Sequence, residues 1–219
     1  MKLPAARFFR KLLPGFCLVF SVQAAFSQNY EESQVGTFQL PDPLTTTDGR
    51  KIKNATEWEE IRRRELLNLF EEHVYGRTPR SFETIFFRLK NENKQAMGGK
   101  AYLKEVEITV GNKGQEAKIN LVMFTPNGVK QKVPTFLLIN NRPARNTSPT
   151  RDTLSGFWPA EEVIAAGYGI AAFQVADAAP DNKENYRDGI LRLFPELHDT
   201  PDGMKAIGAW AWAASRVMD

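Results

Sequence analysis

A reaction run by this chain would need a nucleophile and a base, and the sequence offers few of either. Its two histidines, His73 and His198, are the natural general bases near neutral pH. His73 falls in the last turn of a predicted helix, where positive charge is favoured by the helix dipole, and His198 lies in a predicted surface loop ahead of the final helix. His198-Asp199 supplies two of the four ligands that zinc requires, so no metal site and no cofactor are expected. A serine nucleophile on a sharp strand-to-helix turn is written Gly-x-Ser-x-Gly, and that pattern does not occur. Ser33, Ser81, Ser148, Ser155 and Ser215 fall in predicted loops or a helix. No catalytic residue is therefore assigned.

Two loops are better placed to touch a substrate. Asn140-Asn141-Arg142-Pro143-Ala144-Arg145 and the residues after it leave the end of an apolar run, and Ala176-Asp177-Ala178-Ala179-Pro180-Asp181 leaves the end of the next. Ligands of open α/β sheets bind beyond the carboxyl ends of the strands. Asn141, Arg142 and Asp177 are the candidates for substrate binding or for an oxyanion-binding loop. Trp158, Trp210 and Trp212 could stack on sugar rings, although tryptophan at helical spacing is usually core; Trp212 falls off the predicted apolar stripe.

The elements that would position these groups follow from periodicity. Gln28 to Lys53 is a polar, turn-rich lead-in. A helix should open at the capping-box pattern Thr56-Glu57-Trp58-Glu59 and run to Gly76, with Arg62-Arg63-Arg64 on its solvated face. Ser81 to Lys90 reads as a strand and Asn91 to Lys100 as a polar loop. Val106, Ile108 and Val110, then Ile119, Leu121 and Met123, alternate with polar residues about Gly111-Asn112-Lys113-Gly114, which predicts an antiparallel hairpin. Val133 to Ile139 and Tyr168 to Val175 are continuous apolar runs, as in parallel strands covered on both faces, joined by a crossover helix starting at Pro159. A last helix is expected from Thr200-Pro201-Asp202, burying Met204, Ile207, Trp210, Ala211, Ala214, Val217 and Met218. Because no strand follows it, the parallel edge beside Tyr168 to Val175 should be open.

The N-terminus and the charge narrow the function further. Met1 to Lys11 is basic and Leu12 to Phe26 mostly apolar, too short to span a bilayer, so residues 1–27 read as a secretory signal and no membrane span is expected after its removal. The protein should then be secreted or periplasmic. Cys17, the only cysteine, lies in that segment, which removes thiol chemistry from the mature chain. Four of the 29 basic residues and none of the 26 acidic ones fall in the first 27 positions, leaving the remainder at a net charge of −1. There is no electrostatic case for a nucleic-acid partner.

Hairpin, parallel strand, crossover helix, parallel strand and helix is the opening order of the α/β-hydrolase fold, with the nucleophile elbow due one strand later. The predicted class is thus α/β, the N-terminal portion of such a fold over 54–219, apparently truncated before the elbow. Leu40-Pro41-Asp42-Pro43-Leu44, Asp48-Gly49, Glu71-Glu72-His73-Val74-Tyr75-Gly76-Arg77-Thr78-Pro79, Trp158-Pro159-Ala160-Glu161-Glu162, Gly167-Tyr168-Gly169 and Ala206-Ile207-Gly208-Ala209-Trp210-Ala211-Trp212 together resemble bacterial glucuronoyl esterases, carbohydrate esterase family 15. The resemblance implies an exported serine esterase cleaving esters between glucuronic acid side groups of xylan and lignin alcohols. Its triad, and an arginine beside the nucleophile, would lie beyond Asp219, leaving these residues inactive alone. After Val175 the chain keeps Asp177 and Asp181 but lacks the aromatic and acidic stretch often found there in the family. An acetylxylan esterase, or a non-catalytic sugar-binding module using Trp212 and the Asn140 to Asn146 loop, are the competing readings.

Overall fold

The computed structural model describes residues 30–219, so the signal-peptide reading of residues 1–27 lies outside the described residues. Residues through Asp42 and residues from Pro43 form two separate units. The described part of the first holds one 3-10 turn, Glu32–Gln34, with exposed side chains.

The second unit opens on a tight loop in which Thr45 bridges Lys51 and both Thr46 and Ile52 are buried. Helix α1 (residues 55–75) follows, an α-helix widened by π turns at Trp58–Arg62 and Glu71–Tyr75. Its cap is Asn54, two residues before the predicted capping box. The Asn54 side chain accepts from Glu57 N at 2.9 Å, and the Glu57 carboxylate reaches back to accept from Lys53 N at 3.0 Å, so each side chain satisfies a backbone donor at the start of the helix. Arg62 is not on a solvated face. Its side chain is buried, Nε donates to the Pro43 carbonyl at 3.0 Å and Nη1 pairs with Glu65 at 2.5 Å, so it ties the loop to the helix.

The sheet has five strands in the order β1-β2-β3-β5-β4: β1 (Thr84–Gln95), β2 (Ala101–Asn112), β3 (Gln115–Pro126), β4 (Thr135–Asn140) and β5 (Gly169–Gln174). Strand β1 runs through the segment predicted as a loop. Its polar second half pairs Asn91 with Glu105 and Asn93 with Leu103 after a bulge at Leu89/Asn91. The predicted hairpin is β2–β3, in register from Ala101↔Pro126 to Asn112↔Gln115. Its turn is Lys113-Gly114, both at positive φ (52° and 72°), the geometry of a type I′ turn.

Strand β5 lies inside the sheet, antiparallel to β3 (Val122↔Ala172) and parallel to β4 (Leu138↔Ala172). The open parallel edge is therefore β4, not the 168–175 strand. Position explains the contrast in burial: Gly169 to Phe173 are all buried, whereas Thr135 and Phe136 are exposed.

Helix α2 (Ala160–Ala165) is the crossover helix and covers one face of the sheet, where Ala160 and Ile164 pack on Leu103, Phe124, Trp158, Ile170 and Ala172. Helix α3 (Ala206–Val217) covers the other. It starts at Ala206 rather than at Thr200, because residues 195–203 form a 3-10 turn and irregular loop. Its buried residues are Gly208, Ala209, Trp212 and Ala213, while Ile207 and Met218 are exposed, so the predicted stripe is out of phase. Close approach explains the phase: a side chain at Gly208 would collide with the Tyr75 carbonyl at the end of α1, which forces the small residue inward.

Candidate functional site

The carboxyl ends of β4 and β5 are built around a buried polar residue, Asn140. Buried amides must find partners. Asn140 Oδ1 accepts from Arg142 N at 2.9 Å, its Nδ2 donates to Thr147 Oγ1 at 3.3 Å, and Thr147 Oγ1 donates in turn to the Ala144 carbonyl at 3.3 Å. Gln174 ends the neighbouring strand. With its amide oriented to satisfy both ends, Gln174 Oε1 accepts from Asn140 Nδ2 at 2.6 Å and Nε2 donates to the Arg142 carbonyl at 3.2 Å. The loop after β4 is thus fixed from beneath by Asn140, Thr147 and Gln174.

Asn141 and Arg142, the residues singled out from the sequence, are exposed at the top of this loop. The Arg142 guanidinium lies 5.3 Å from the Phe157 ring centre, a cation–π contact that orients it. Its backbone N–H is already held by Asn140. Of its polar groups, Arg142 is left with its side chain to offer.

Asp177 stands at the same end of the sheet, after β5, but turns toward β3. Its Oδ2 accepts from Asn120 N at 2.8 Å and from Asn120 Nδ2 at 3.2 Å. Burial raises its carboxyl above the usual carboxylate range, against those two hydrogen bonds, which lower it. The structure gives Asp177 a role at the end of the β3 ladder and does not bring it to Asn141 and Arg142.

The remaining candidates are structural. His198 has a ring nitrogen 2.7 Å from the Leu191 carbonyl, and Arg187 Nη2 donates to the His198 carbonyl at 2.7 Å, so both tie down the loop ahead of α3. His73 is exposed in the last turn of α1. Trp212 is buried between Phe82 and Phe194 in edge contacts of 5.6 and 5.5 Å, and its Nε1 donates to the Pro79 carbonyl at 3.2 Å. It is core and does not face a sugar. Trp210 Nε1 donates to the Ala179 carbonyl at 2.7 Å. No group of three metal-ligating side chains occurs among the described residues.

In the sequence Asn140 is only the first residue of the candidate loop, and Gln174 is not singled out. A polar amide closing each of two adjacent apolar runs was the available signal.

Beside the loop, the outer face of β4 forms an apolar hollow of about 300 Å³ with Phe136, Leu138, Phe157, Pro159, Val163 and Ile170. An open strand edge, a hollow next to it and a fixed polar loop at its carboxyl end are what an α/β-hydrolase presents to its nucleophile strand.

Comparison with known proteins agrees. The chain is 32% identical over 223 residues to the carbohydrate esterase MZ0003 of an unknown prokaryotic organism, covering 87% of this chain and 51% of that protein. It superposes on the glucuronoyl esterase of Solibacter usitatus with a TM-score of 0.76 at 28% identity, over 86% of this chain and 54% of that one. A promiscuous esterase of carbohydrate esterase family 15 from a marine bacterial metagenome gives a TM-score of 0.68 at 30% identity, over 87% and 55% of the two chains. The chain is a homologue of the glucuronoyl esterases.

No family model matches the chain. It spans about half the length of these esterases. As in those esterases, the fold is the α/β-hydrolase arrangement, with a mixed, open sheet. Among the described residues, no helix is long and apolar enough to cross a membrane.

Proposed function

We propose that this chain provides the N-terminal half of an exported serine carbohydrate esterase acting on glucuronoyl esters of the xylan–lignin junction. The 32% identity to a carbohydrate esterase over 87% of the chain supports the reading most directly. A Schizophyllum commune relative named 4-O-methyl-glucuronoyl methylesterase, 23% identical over 82% of this chain, supports the ester class. In this reading the strand that carries the nucleophile pairs with β4, and the acyl oxygen faces the loop held by Asn140. An activated serine would attack the ester carbonyl, the alcohol would leave, and water would release the glucuronate from the acyl-enzyme. Asn141 is placed to donate a backbone N–H to the oxyanion, and Arg142 to meet the carboxylate-derived side of the substrate. The basic, then apolar residues 1–27 support export.

Two proteins test this. The 219-residue chain should not hydrolyse benzyl glucuronate above the buffer rate. A chimera in which residues 30–219 replace the matching half of the Solibacter usitatus esterase should hydrolyse it. Turnover by the chain alone, or a folded but inactive chimera, would overturn the proposal. The relative described as promiscuous favours a second reading, a wider ester range including acetylated xylan, which the chimera resolves with acetylated xylose as substrate.

A further inference from the structure

Strand β1 is the other edge of the sheet, and its two halves treat that edge differently. From Lys90 to Lys94 the sequence is Lys-Asn-Glu-Asn-Lys, and a bulge between Leu89 and Asn91 interrupts the register with β2. Charges and bulges shield an edge from a second strand. Thr84 to Leu89 lacks this protection. Its pairing with β2 is unbroken from Thr84↔Gly111 to Leu89↔Val106, and Phe86, Phe87 and Leu89 are 62%, 48% and 50% exposed. Its one charge, Arg88, is held against the sheet by Glu107, whose Oε1 accepts from Nη2 at 2.6 Å. In the proposed enzyme the strand that extends the sheet joins at β4, four strand spacings or about 19 Å away. Strand β1 stays an edge there too.

The pattern of the segment selects its partner. Set antiparallel against itself and centred on Phe87, it places Phe87 opposite Phe87, Ile85 opposite Leu89 and Phe86 opposite Arg88 of the second copy. Ile85, Phe87 and Leu89 share the face that carries Val106, Ile108 and Val110, so the apolar face of the sheet runs on across the pair. On the other face, Arg88 meets the ring of Phe86, a cation–π pair made twice by symmetry. Lys90 falls opposite Thr84, so no like charges meet. The neighbouring registers are worse. Sliding the partner one way puts Arg88 opposite Arg88, and sliding it the other way puts Leu89 opposite Glu83.

We propose that residues Thr84 to Leu89 of β1 dock a second copy of this chain, antiparallel about a two-fold axis through Phe87, so that two five-stranded sheets become one. The pairing does not depend on the esterase reading. So short a strand pair buries little area, and the dimer should be weak, forming at micromolar concentrations or above. In the chain carrying Cys17→Ser, Phe87→Cys places one thiol on the axis, where opposite Cα atoms lie about 4.5–5.5 Å apart, within disulfide reach. With oxidised glutathione it should form a covalent dimer at least about ten-fold faster than Asn93→Cys, an exposed position of the same edge that the register leaves unpaired. A Phe136→Lys background removes association through β4, and in it the parent chain should sediment as a weak dimer. Adding Phe87→Lys or Phe87→Glu should give monomers, and mixing those two variants should give a heterodimer, a rescue that misfolding would not allow. Equal cross-linking rates at the two positions, or a mixture that stays monomeric, would overturn the proposal.

Discussion

The backbone N–H of Asn120 donates to Oδ2 of Asp177 at 2.8 Å, so a side chain from the end of β5 completes the hydrogen bonding of β3 beyond the point where the two strands pair. The acceptor matters more than its charge, which burial disfavours. Asp177→Asn keeps an acceptor oxygen and should be near neutral in stability at pH 7. Asp177→Ala orphans the Asn120 N–H and should cost about 1–2 kcal/mol. The folded-state pKa of Asp177 is raised, so its ionised form is penalised only above that value. Wild type should therefore gain stability relative to Asp177→Asn as pH falls toward the ordinary carboxylate range. Denaturant titrations of the three proteins across pH 3–7 read this directly, and a wild type that loses stability relative to Asp177→Asn on acidification would contradict it.

Asn140 should be the most sensitive position of the site loop. Asn140→Ala removes the acceptor of the Arg142 N–H and one of the partners of the Gln174 amide, at a cost of about 1–3 kcal/mol. In the active chimera, kcat for benzyl glucuronate should fall by up to about 100-fold, because the change displaces the loop that carries Asn141 and Arg142. A fall in stability without loss of kcat would show that the loop does not serve the reaction.

Glu107 is shared by three cations on the β1–β2–β3 face: Arg88 Nη2 at 2.6 Å, Lys118 Nζ at 3.2 Å and Lys90 Nζ at 3.6 Å. Chiefly through the Arg88 hydrogen bond, its carboxyl is lowered to a pKa of about 2. A depressed folded-state value means that the stabilisation is present above the ordinary pKa of 4.5 and is lost as pH falls from there toward about 2. Glu107→Gln should lower the thermal midpoint at pH 7, and the difference from wild type should shrink below pH 4.5. A difference independent of pH, or abolished by 1 M salt at pH 7, would mean that shape or long-range charge, not this local cluster, sets the effect.

Much of this architecture was legible in the residues because burial imposes a period on strands. The alternation around Val106–Val110 and Ile119–Met123 placed the β2–β3 hairpin, and the two unbroken apolar runs gave the parallel pair. Elements held by specific rather than periodic contacts were not legible. Asn91 to Gln95 is polar on both faces, and only its pairing with β2 makes it a strand. In α3, Trp210 and Trp212 both find backbone acceptors, and alanines and glycine blur the stripe, so its phase is set by the close approach of Gly208 to Tyr75. Arg62 is buried because Pro43, 19 residues earlier, presents a carbonyl to it. At the site, the loops were found by position alone, since the carboxyl ends of strands follow from topology. The Asn140–Gln174 contact depends on β4 and β5 being in register, which composition does not encode.

The open edge makes a prediction of its own. Strand β4 presents unpaired backbone groups over six residues, with Phe136 59% exposed and in edge contact with Tyr168 at 5.6 Å. An uncharged, apolar edge is a template for another strand. The 219-residue chain alone should therefore associate with increasing concentration in size-exclusion chromatography. Phe136→Lys places a charge on that edge and should shift the chain toward monomer, while costing only about 0.5–1.5 kcal/mol for the lost Tyr168 contact. In the chimera the same lysine would face the strand that pairs with β4, so there it should destabilise by more than in the isolated chain. Equal destabilisation in both settings would mean that β4 is not the strand that receives the second half of the hydrolase.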